Sequence, residues 1–172
     1  VEKAVKNIAR LGVDYLTVHA LDRKTLDAAM AGRGSSKLKL LGVTVLTNLT
    51  EFDLAEQGIN ESPSNLAARR AKLAFDAGLD GVIASGFEAR AIREITDENF
   101  IIKTPGIRPP GAAGNDQARA MTPREAILEG ADYLVVGRPI LNAPDRKKAA
   151  LAIQQEIKAA LEIRRRRRAT SV

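Results

Sequence analysis

Two arginines sit beside glycines in or directly after apolar stretches of the chain. Arg108 belongs to a Pro-Gly-Ile-Arg-Pro run after the stretch 99–105, and Arg138 follows Gly137 within the stretch 133–139. A glycine lets a ligand approach the backbone, and the planar arginine fork matches a phosphate. These residue types predict a phosphate site built from Arg108, Gly137 and Arg138. The spacing equally allows two surface arginines that form ordinary ion pairs.

Other polar residues stand close to these positions. Thr47 and Asn48 follow the second apolar stretch, and Gln117 lies in the long Gly- and Pro-rich segment 103–123. The Gln117 amide can donate two hydrogen bonds to a phosphate or to a pyrimidine edge, or it can simply face solvent. His19, the only histidine, ends the first stretch and suits either acid–base chemistry or a structural hydrogen bond.

One further pattern of charged residues is a candidate for catalysis. Asp22, Lys24 and Asp27 form Asp-x-Lys-x-x-Asp at the start of a predicted helix. Residues two apart on a helix are separated by about 200°, so Asp22 and Lys24 point away from each other. We interpret them as a helix-start acid and solvated charges.

The elements that must position these residues alternate along the chain. Short, continuous apolar stretches predict strands that are buried on both faces, with amphipathic helices between them. The predicted strands are 13–20, 40–46, 81–85, 99–105 and 133–139, and the predicted helices are 2–11, 22–31, 63–77, 86–95, 122–129 and 144–162. This order indicates an α/β fold with a parallel sheet, either doubly wound or a (β/α)₈ barrel. A chain of 172 residues with five strands holds at most part of a barrel.

A Gly-x-Asp pattern precedes three of the five predicted strands, at residues 12–14, 78–80 and 130–132. Its structural meaning is a glycine that ends a helix and an aspartate in the following turn. The pattern supports repeated βα units and predicts no function.

Composition excludes several classes of function. The chain has no Cys and one His, which excludes disulfides and Cys- or His-rich metal sites and fits a cytoplasmic protein. The apolar stretches are too short to cross a membrane. Five of the net +6 charges lie in the run 164–168, so the basic character belongs to the end of the chain. We expect one domain over 1–163 and a disordered basic tail over 164–172. We expect no nucleic-acid binding by this tail, because no aromatic residues interleave its arginines.

Four segments in order, LLGVTVLTNL, AGLDGVIASGFEA, TPGIRP…GNDQARAMTPREAI and GADYLVVGRPI, resemble bacterial orotidine 5′-phosphate decarboxylase. The resemblance covers residues 1 to about 155. It implies a partial (β/α)₈ TIM barrel whose five parallel strands are strands four to eight of the family barrel. It also implies a homodimer that forms uridine 5′-phosphate and CO₂ from orotidine 5′-phosphate without a metal or cofactor.

The resemblance also assigns the site. Arg108, Gly137 and Arg138 would hold the phosphate, Gln117 would close over phosphate and base, and Thr47 would sit near the pyrimidine. The family's Asp-x-Lys-x-x-Asp motif lies on a strand, and no predicted strand here carries it. We therefore expect the catalytic residues upstream of Val1, none of them in this chain, and negligible decarboxylation by these 172 residues alone.

Two alternative functions also use a phosphate site. Another phosphate-binding barrel enzyme, such as a sugar-phosphate epimerase or a keto-sugar-phosphate decarboxylase, would lack the PGIRP…DQ segment. A non-catalytic nucleotide- or RNA-binding module would use the phosphate site together with the arginine run. Five barrel strands would leave two open edges, which invite pairing with another chain.

Overall fold

A computed structural model of the chain describes residues 1–110 and 120–169. Five parallel strands form one sheet in the order β1-β2-β3-β4-β5. The strands are β1 Tyr15–His19, β2 Lys39–Val43, β3 Gly81–Ile83, β4 Ile101–Thr104 and β5 Tyr133–Leu134. The helices are α1 Glu2–Ala9, α2 Arg23–Arg33, α3 Glu51–Glu56, α4 Pro63–Asp76, α5 Ala89–Glu94, α6 Pro123–Glu129, α7 Arg138–Leu141 and α8 Arg146–Ala169. The sequence-based prediction of an α/β fold with a parallel sheet is confirmed.

The helices form where the sequence supplies their end signals. The Ser62 side chain accepts a hydrogen bond from the Asn65 N–H, and Pro63 opens α4. The Thr122 side chain accepts from the Glu125 N–H ahead of α6, which ends at Gly130 with φ 118°. These side chains satisfy helix-end N–H groups that would otherwise lack partners.

The sheet is strongly curled. Adjacent strands lie about 4.8 Å apart, so the outer strands of a flat five-stranded sheet would be separated by ~19 Å. The Tyr15 ring of β1 and the Tyr133 ring of β5 are nevertheless only 6.4 Å apart between centroids. The Lys103 Nζ atom of β4 lies 3.2 Å from the Tyr15 ring centroid, between the two edges. The five strands therefore form an open barrel wall with a concave inner face.

The opposite, convex face of the sheet carries the main core. Leu40, Val82 and Ile102 from the three central strands are fully buried against helix residues such as Leu26 and Ile92. Burial of this aliphatic surface is the dominant favourable contribution to folding. Among the described residues, none of the helices is both long and apolar enough to cross a membrane.

The structure differs from the predicted elements in three places. Helix α3 was not predicted, although Thr50 and Asp53 form the capping box at its start. The fifth strand was predicted to extend to residue 139, but β5 ends at Leu134 and helix α7 begins at Arg138, with Pro139 in its first turn. Proline has no N–H for a sheet ladder and suits the first turn of a helix.

The third difference concerns the arginine run. We predicted a disordered tail from residue 164, whereas α8 continues to Ala169. Arg164 is half-buried, and its Nη1 atom donates to the Ala131 carbonyl oxygen at 3.0 Å. Arginine is a good helix former, and this contact anchors the first residue of the run.

Candidate active site

The carboxyl ends of the five strands meet at one edge of the sheet, where α/β proteins bind their ligands. Thr104 of β4 pairs with Leu134 of β5. Arg108 and Arg138 each follow their own strand residue by four positions. Because the two strands are parallel and neighbouring, the two predicted phosphate-binding arginines leave the sheet at the same edge, each four residues after a paired strand residue.

Arg108 sits on a fixed piece of backbone. Its N–H donates to the Met121 carbonyl oxygen at 2.9 Å, and the Met121 N–H donates to the Gly106 carbonyl oxygen at 3.3 Å. Ile107 forms the matching bridge with Met121 and is fully buried against Ala126 and Ala131. The two ends of the long segment 103–123 are thus tied together directly beside Arg108.

The Arg108 guanidinium is buried and has few partners. Its Nη1 atom donates to the Ile107 carbonyl oxygen at 2.8 Å. Its Nε and Nη2 atoms are buried and have no hydrogen-bond partner in the described part of the chain. The Thr104 hydroxyl, four residues earlier, is also buried without one. Buried polar groups are almost always hydrogen-bonded, so these donors fit an anion that arrives from outside.

Gly137 and Arg138 form the adjoining corner. Gly137 precedes α7 and is exposed, and Arg138 is half-buried as the first residue of that helix. A Cβ atom placed on Gly137 would meet nothing within 4 Å. Packing against the protein therefore does not require glycine here, and the space above its backbone is open to a ligand.

Thr47 lies at the same edge, beyond β2. It is 9% exposed, in a turn closed by the Leu49 N–H donating to the Leu46 carbonyl oxygen at 3.0 Å. Asn48, next in the chain, is exposed. The structure thus places Thr47 at the edge that carries the arginines, whereas Gln117 lies outside the described residues.

Sequence reasoning missed two polar residues near this edge, one buried and one half-buried. Glu88, after β3, is 1% exposed, and the Ser64 Oγ atom donates to its Oε1 atom at 3.1 Å. Arg70 of α4 donates from Nη1 to the Thr44 carbonyl oxygen at 2.6 Å, just past the end of β2. Burial lowers the pKa of Arg70 from its ordinary value. In the sequence both residues resemble surface charges of amphipathic helices, so no local signal marks them.

The remaining candidates do not join the site. His19 ends β1 as an exposed residue. Asp22 caps α2, and its carboxylate accepts from the Thr25 N–H at 2.8 Å, as the sequence predicted for a helix-start acid. These hydrogen bonds from Thr25 lower the pKa of Asp22.

A curled parallel βα sheet with polar residues at its carboxyl edge is the architecture of α/β barrel proteins, and the two Arg108 nitrogens without partners among the described residues suit an anion. Comparison with known proteins narrows this class. The profile described as orotidine 5′-phosphate decarboxylase / HUMPS family matches residues 1–153, and the chain belongs to this family.

Individual relatives agree with this membership. The chain is 49% identical over 160 residues to "Orotidine 5′-phosphate decarboxylase" of Rhodopseudomonas palustris (strain ATCC BAA-98 / CGA009), covering 93% of this chain and 67% of that protein. The structure of orotidine 5′-phosphate decarboxylase from Lactobacillus acidophilus matches with a TM-score of 0.74 and 36% identity, covering 91% of this chain and 68% of the other. The Pyrococcus horikoshii OT3 enzyme matches with a TM-score of 0.63 and 30% identity, covering 92% and 69%. The chain spans about two thirds of the length of these relatives.

Proposed function

We propose that this chain is an orotidine 5′-phosphate decarboxylase polypeptide, for the conversion of orotidine 5′-phosphate to uridine 5′-phosphate and CO₂ in pyrimidine synthesis. Family membership and the names of its relatives support this assignment. The part of the enzyme represented here is the edge that holds the phosphate and the pyrimidine.

The main support for this proposal is the hydrogen bonding of the Arg108 guanidinium. Two of its three nitrogens are buried without a partner among the described residues, while its backbone is fixed on both sides of the segment 103–123. Such a preorganised cation favours a dianionic phosphate, which accepts several charge-assisted hydrogen bonds. Arg138 and the Gly137 backbone would complete the phosphate site, with Thr47 beside the base and Gln117 closing over both.

We propose that the groups for the chemical step lie outside this sheet edge. The Asp22, Lys24 and Asp27 pattern opens α2, where Asp22 serves as a helix cap and Asp27 pairs with Arg23 at 2.7 Å. We propose that the 172-residue chain alone binds nucleotide and decarboxylates negligibly. We further propose a cytoplasmic homodimer that works without a metal or cofactor, as the family resemblance implies.

The test compares two ligands and two variants by isothermal titration calorimetry. We expect uridine 5′-phosphate to bind the parent chain, and Arg108→Ala to weaken that binding by about 30-fold or more, because charge-assisted hydrogen bonds to the phosphate are lost. Arg69→Ala is the matched control, since Arg69 is exposed and pairs with Glu61 on the helix surface. It should leave the affinity unchanged.

Uridine, which lacks the phosphate, separates the two contributions. Its affinity should be the same for the parent chain and for Arg108→Ala. Equal binding of uridine 5′-phosphate by the parent chain and Arg108→Ala would refute the phosphate assignment. Turnover of orotidine 5′-phosphate by the parent chain at an enzymatic rate would refute the proposal that the chemical centre is absent from it.

A further inference from the structure

The chain leading to Thr47 is held at its start by an arginine of a neighbouring helix. Arg70, in the middle of α4, donates from its Nη1 atom to the Thr44 carbonyl oxygen at 2.6 Å. Thr44 is the first residue past β2 and is 1% exposed. A guanidinium that donates to a carbonyl oxygen forms a charge-assisted hydrogen bond, which is stronger than a neutral one. Helix α4 thus holds the backbone at the point where it leaves the sheet.

Thr44 is also bound to the adjacent strand. Its N–H and its Oγ1 atom both donate to the Ile83 carbonyl oxygen, at 3.1 and 2.9 Å. Ile83 is the last residue of β3. Thr44 therefore joins the end of β3 to α4, so its position is fixed before the chain continues toward Thr47.

The residues that follow Thr44 pack against the same helix. We call residues 44–49 the Thr47 turn. Val45 is 4% exposed and lies in a cluster with Leu66 and Ala67, about one helical turn before Arg70. Helix α4 therefore supplies both an apolar contact and a charged contact to this turn.

Arg70 differs from the other arginines of α2, α4 and α5 in what it binds. The other five each form an ion pair with a carboxylate: Arg23 with Asp27, Arg33 with Asp80, Arg69 with Glu61, Arg90 with Glu129 and Arg93 with Asp132. Within residues 1–110 and 120–169, Arg70 forms no ion pair, and its one hydrogen bond is to the Thr44 carbonyl oxygen. Arg70 is half-buried, and a cation that leaves water without a carboxylate partner costs stability. Its contact with the Thr47 turn therefore calls for a functional reason.

We propose that Arg70 is a positioning residue for the part of the site that receives the base. It holds the Thr47 turn so that the Thr47 side chain lies beside the pyrimidine, and it does not touch the nucleotide itself. This inference rests on the proposed function, because the placement of Thr47 beside the base belongs to that proposal. It adds the residue by which an outer helix fixes this part of the site.

The order of the strands separates Arg70 from the proposed phosphate site. Arg108 follows β4 and Arg138 follows β5, whereas the Thr47 turn follows β2. Strand β3 lies between β2 and β4, so the ends of β2 and β4 are separated by ~10 Å. Loss of the Arg70 guanidinium should therefore affect the contact with the base and leave the contact with the phosphate.

The first measurement compares uridine 5′-phosphate, uridine and ribose 5-phosphate by isothermal titration calorimetry. Arg70→Met keeps a long aliphatic side chain and removes the guanidinium. We expect it to weaken binding of uridine 5′-phosphate and of uridine by the same factor, about fivefold or more, because Thr47 is no longer held beside the base. Binding of ribose 5-phosphate should be unchanged. General damage to the fold would instead weaken binding of all three ligands.

Two further variants separate positioning from damage to α4. Arg70→Lys should bind all three ligands like the parent chain, because a lysine ammonium can donate to the single carbonyl oxygen that Arg70 contacts. Arg69→Met removes the adjacent arginine, which is exposed and pairs with Glu61. It should also bind all three ligands like the parent chain.

Hydrogen exchange without any nucleotide tests the turn directly. The Leu49 N–H donates to the Leu46 carbonyl oxygen at 3.0 Å within the Thr47 turn. Its exchange, followed by NMR, should be about fivefold or more faster in Arg70→Met than in the parent chain and in Arg70→Lys. The Asp132 N–H, which donates to the Ile102 carbonyl oxygen at the other end of the sheet, should exchange at the same rate in all three proteins.

Three results would overturn the inference. The first is an unchanged rate of Leu49 exchange in Arg70→Met. The second is unchanged binding of uridine by Arg70→Met. The third is weaker binding of ribose 5-phosphate by Arg70→Met, since Arg70 would then act on the phosphate or on the whole fold. Failure of the proposed function gives a different result: the parent chain itself then binds none of the three ligands, and exchange of the Leu49 N–H alone decides whether Arg70 fixes the turn.

Discussion

Charged side chains are hydrogen-bonded very differently at the two ends of the sheet. At the amino end, Asp132 accepts from Arg93 and from the Ile102 N–H, and Arg164 lies 3.5 Å from its second oxygen. Three of the four hydrogen bonds of Arg93 go to backbone carbonyl oxygens and the fourth goes to Asp132, so only its Nε atom lacks a partner among the described residues. At the carboxyl end, the Arg108 guanidinium donates to a single carbonyl oxygen within the described part of the chain, that of its neighbour Ile107.

This difference assigns the two ends different tasks. At the amino end, the charged side chains join strands to helices. Substitutions of these residues should therefore change the stability of the fold. At the carboxyl end, two buried guanidinium nitrogens of Arg108 have no partner among the described residues, which costs stability unless an anion binds. Barrel proteins in general place stability at the amino face and binding at the carboxyl face.

The largest expected effect is at the amino end. Asp132→Ala should lower the free energy of unfolding by about 3 kcal/mol, because it leaves the half-buried Arg93 and the Ile102 N–H without their acceptor. Urea denaturation followed by circular dichroism measures the change. Asp76→Ala, which removes an exposed pair with Lys72, should cost under about 0.5 kcal/mol. Similar losses for both variants would show that the contacts of Asp132 stabilise the fold no more than an exposed surface ion pair does.

A smaller effect is expected from a methyl group at the carboxyl end. Gly137→Ala should weaken binding of uridine 5′-phosphate by about tenfold while the protein stays folded, because the added Cβ occupies the open space in which we propose that the phosphate binds. Gly81→Ala is the contrasting variant, since its Cβ would crowd the Ile101 carbonyl oxygen, and it should unfold the chain. Calorimetry and circular dichroism distinguish them. Unchanged nucleotide affinity in Gly137→Ala would argue against this corner as the phosphate site.

The smallest effect concerns the helix that follows the segment 103–123. Hydrogen bonds from the Thr122 side chain and N–H lower the pKa of Glu125 below its ordinary value of 4.5. A lowered folded-state pKa stabilises the fold above the ordinary value, and the stabilisation is lost as the pH falls through the lowered one. Glu125→Gln should therefore reduce the unfolding free energy by less than about 1 kcal/mol at neutral pH and flatten its decline below pH 4.5.

Urea denaturation at a series of pH values checks this. Glu94→Gln, on the exposed surface of α5, is the control and should keep the parent's pH dependence. An acid decline as steep in Glu125→Gln as in the parent chain would show that the capping box carries no such dependence.

Local signals predicted much of the fold. The Ser62–Pro63 and Thr122–Pro123 starts and the apolar strands were readable because each depends on a few neighbouring residues. The end of β5 could not be predicted from local signals, because the apolar stretch continues to Val136 while the chain turns toward α7. The continuation of α8 through Arg164 depends on a contact with Ala131, more than thirty residues away in sequence.

The candidate site, like the fold, could be predicted only in part from the sequence. Arg108, Gly137, Arg138 and Thr47 lie at strand ends, and their positions follow from a parallel sheet. The burial of Glu88 could not be predicted, since it depends on how α4 brings Ser64 to it across the sheet edge. Register and chain order can be read from a sequence, whereas burial of a single charge depends on tertiary packing.

The contact between Tyr15 and Tyr133 has a practical consequence for spectroscopy. These are the only two tyrosines, and the chain has no tryptophan, so its tyrosine absorbance and fluorescence arise entirely from the place where the two outer strands curl toward each other. A hydrogen bond with Tyr133, followed by burial, raises the pKa of Tyr15 above its ordinary value of 10.0. Alkaline titration of the tyrosinate band should thus report the curvature of the sheet without any label.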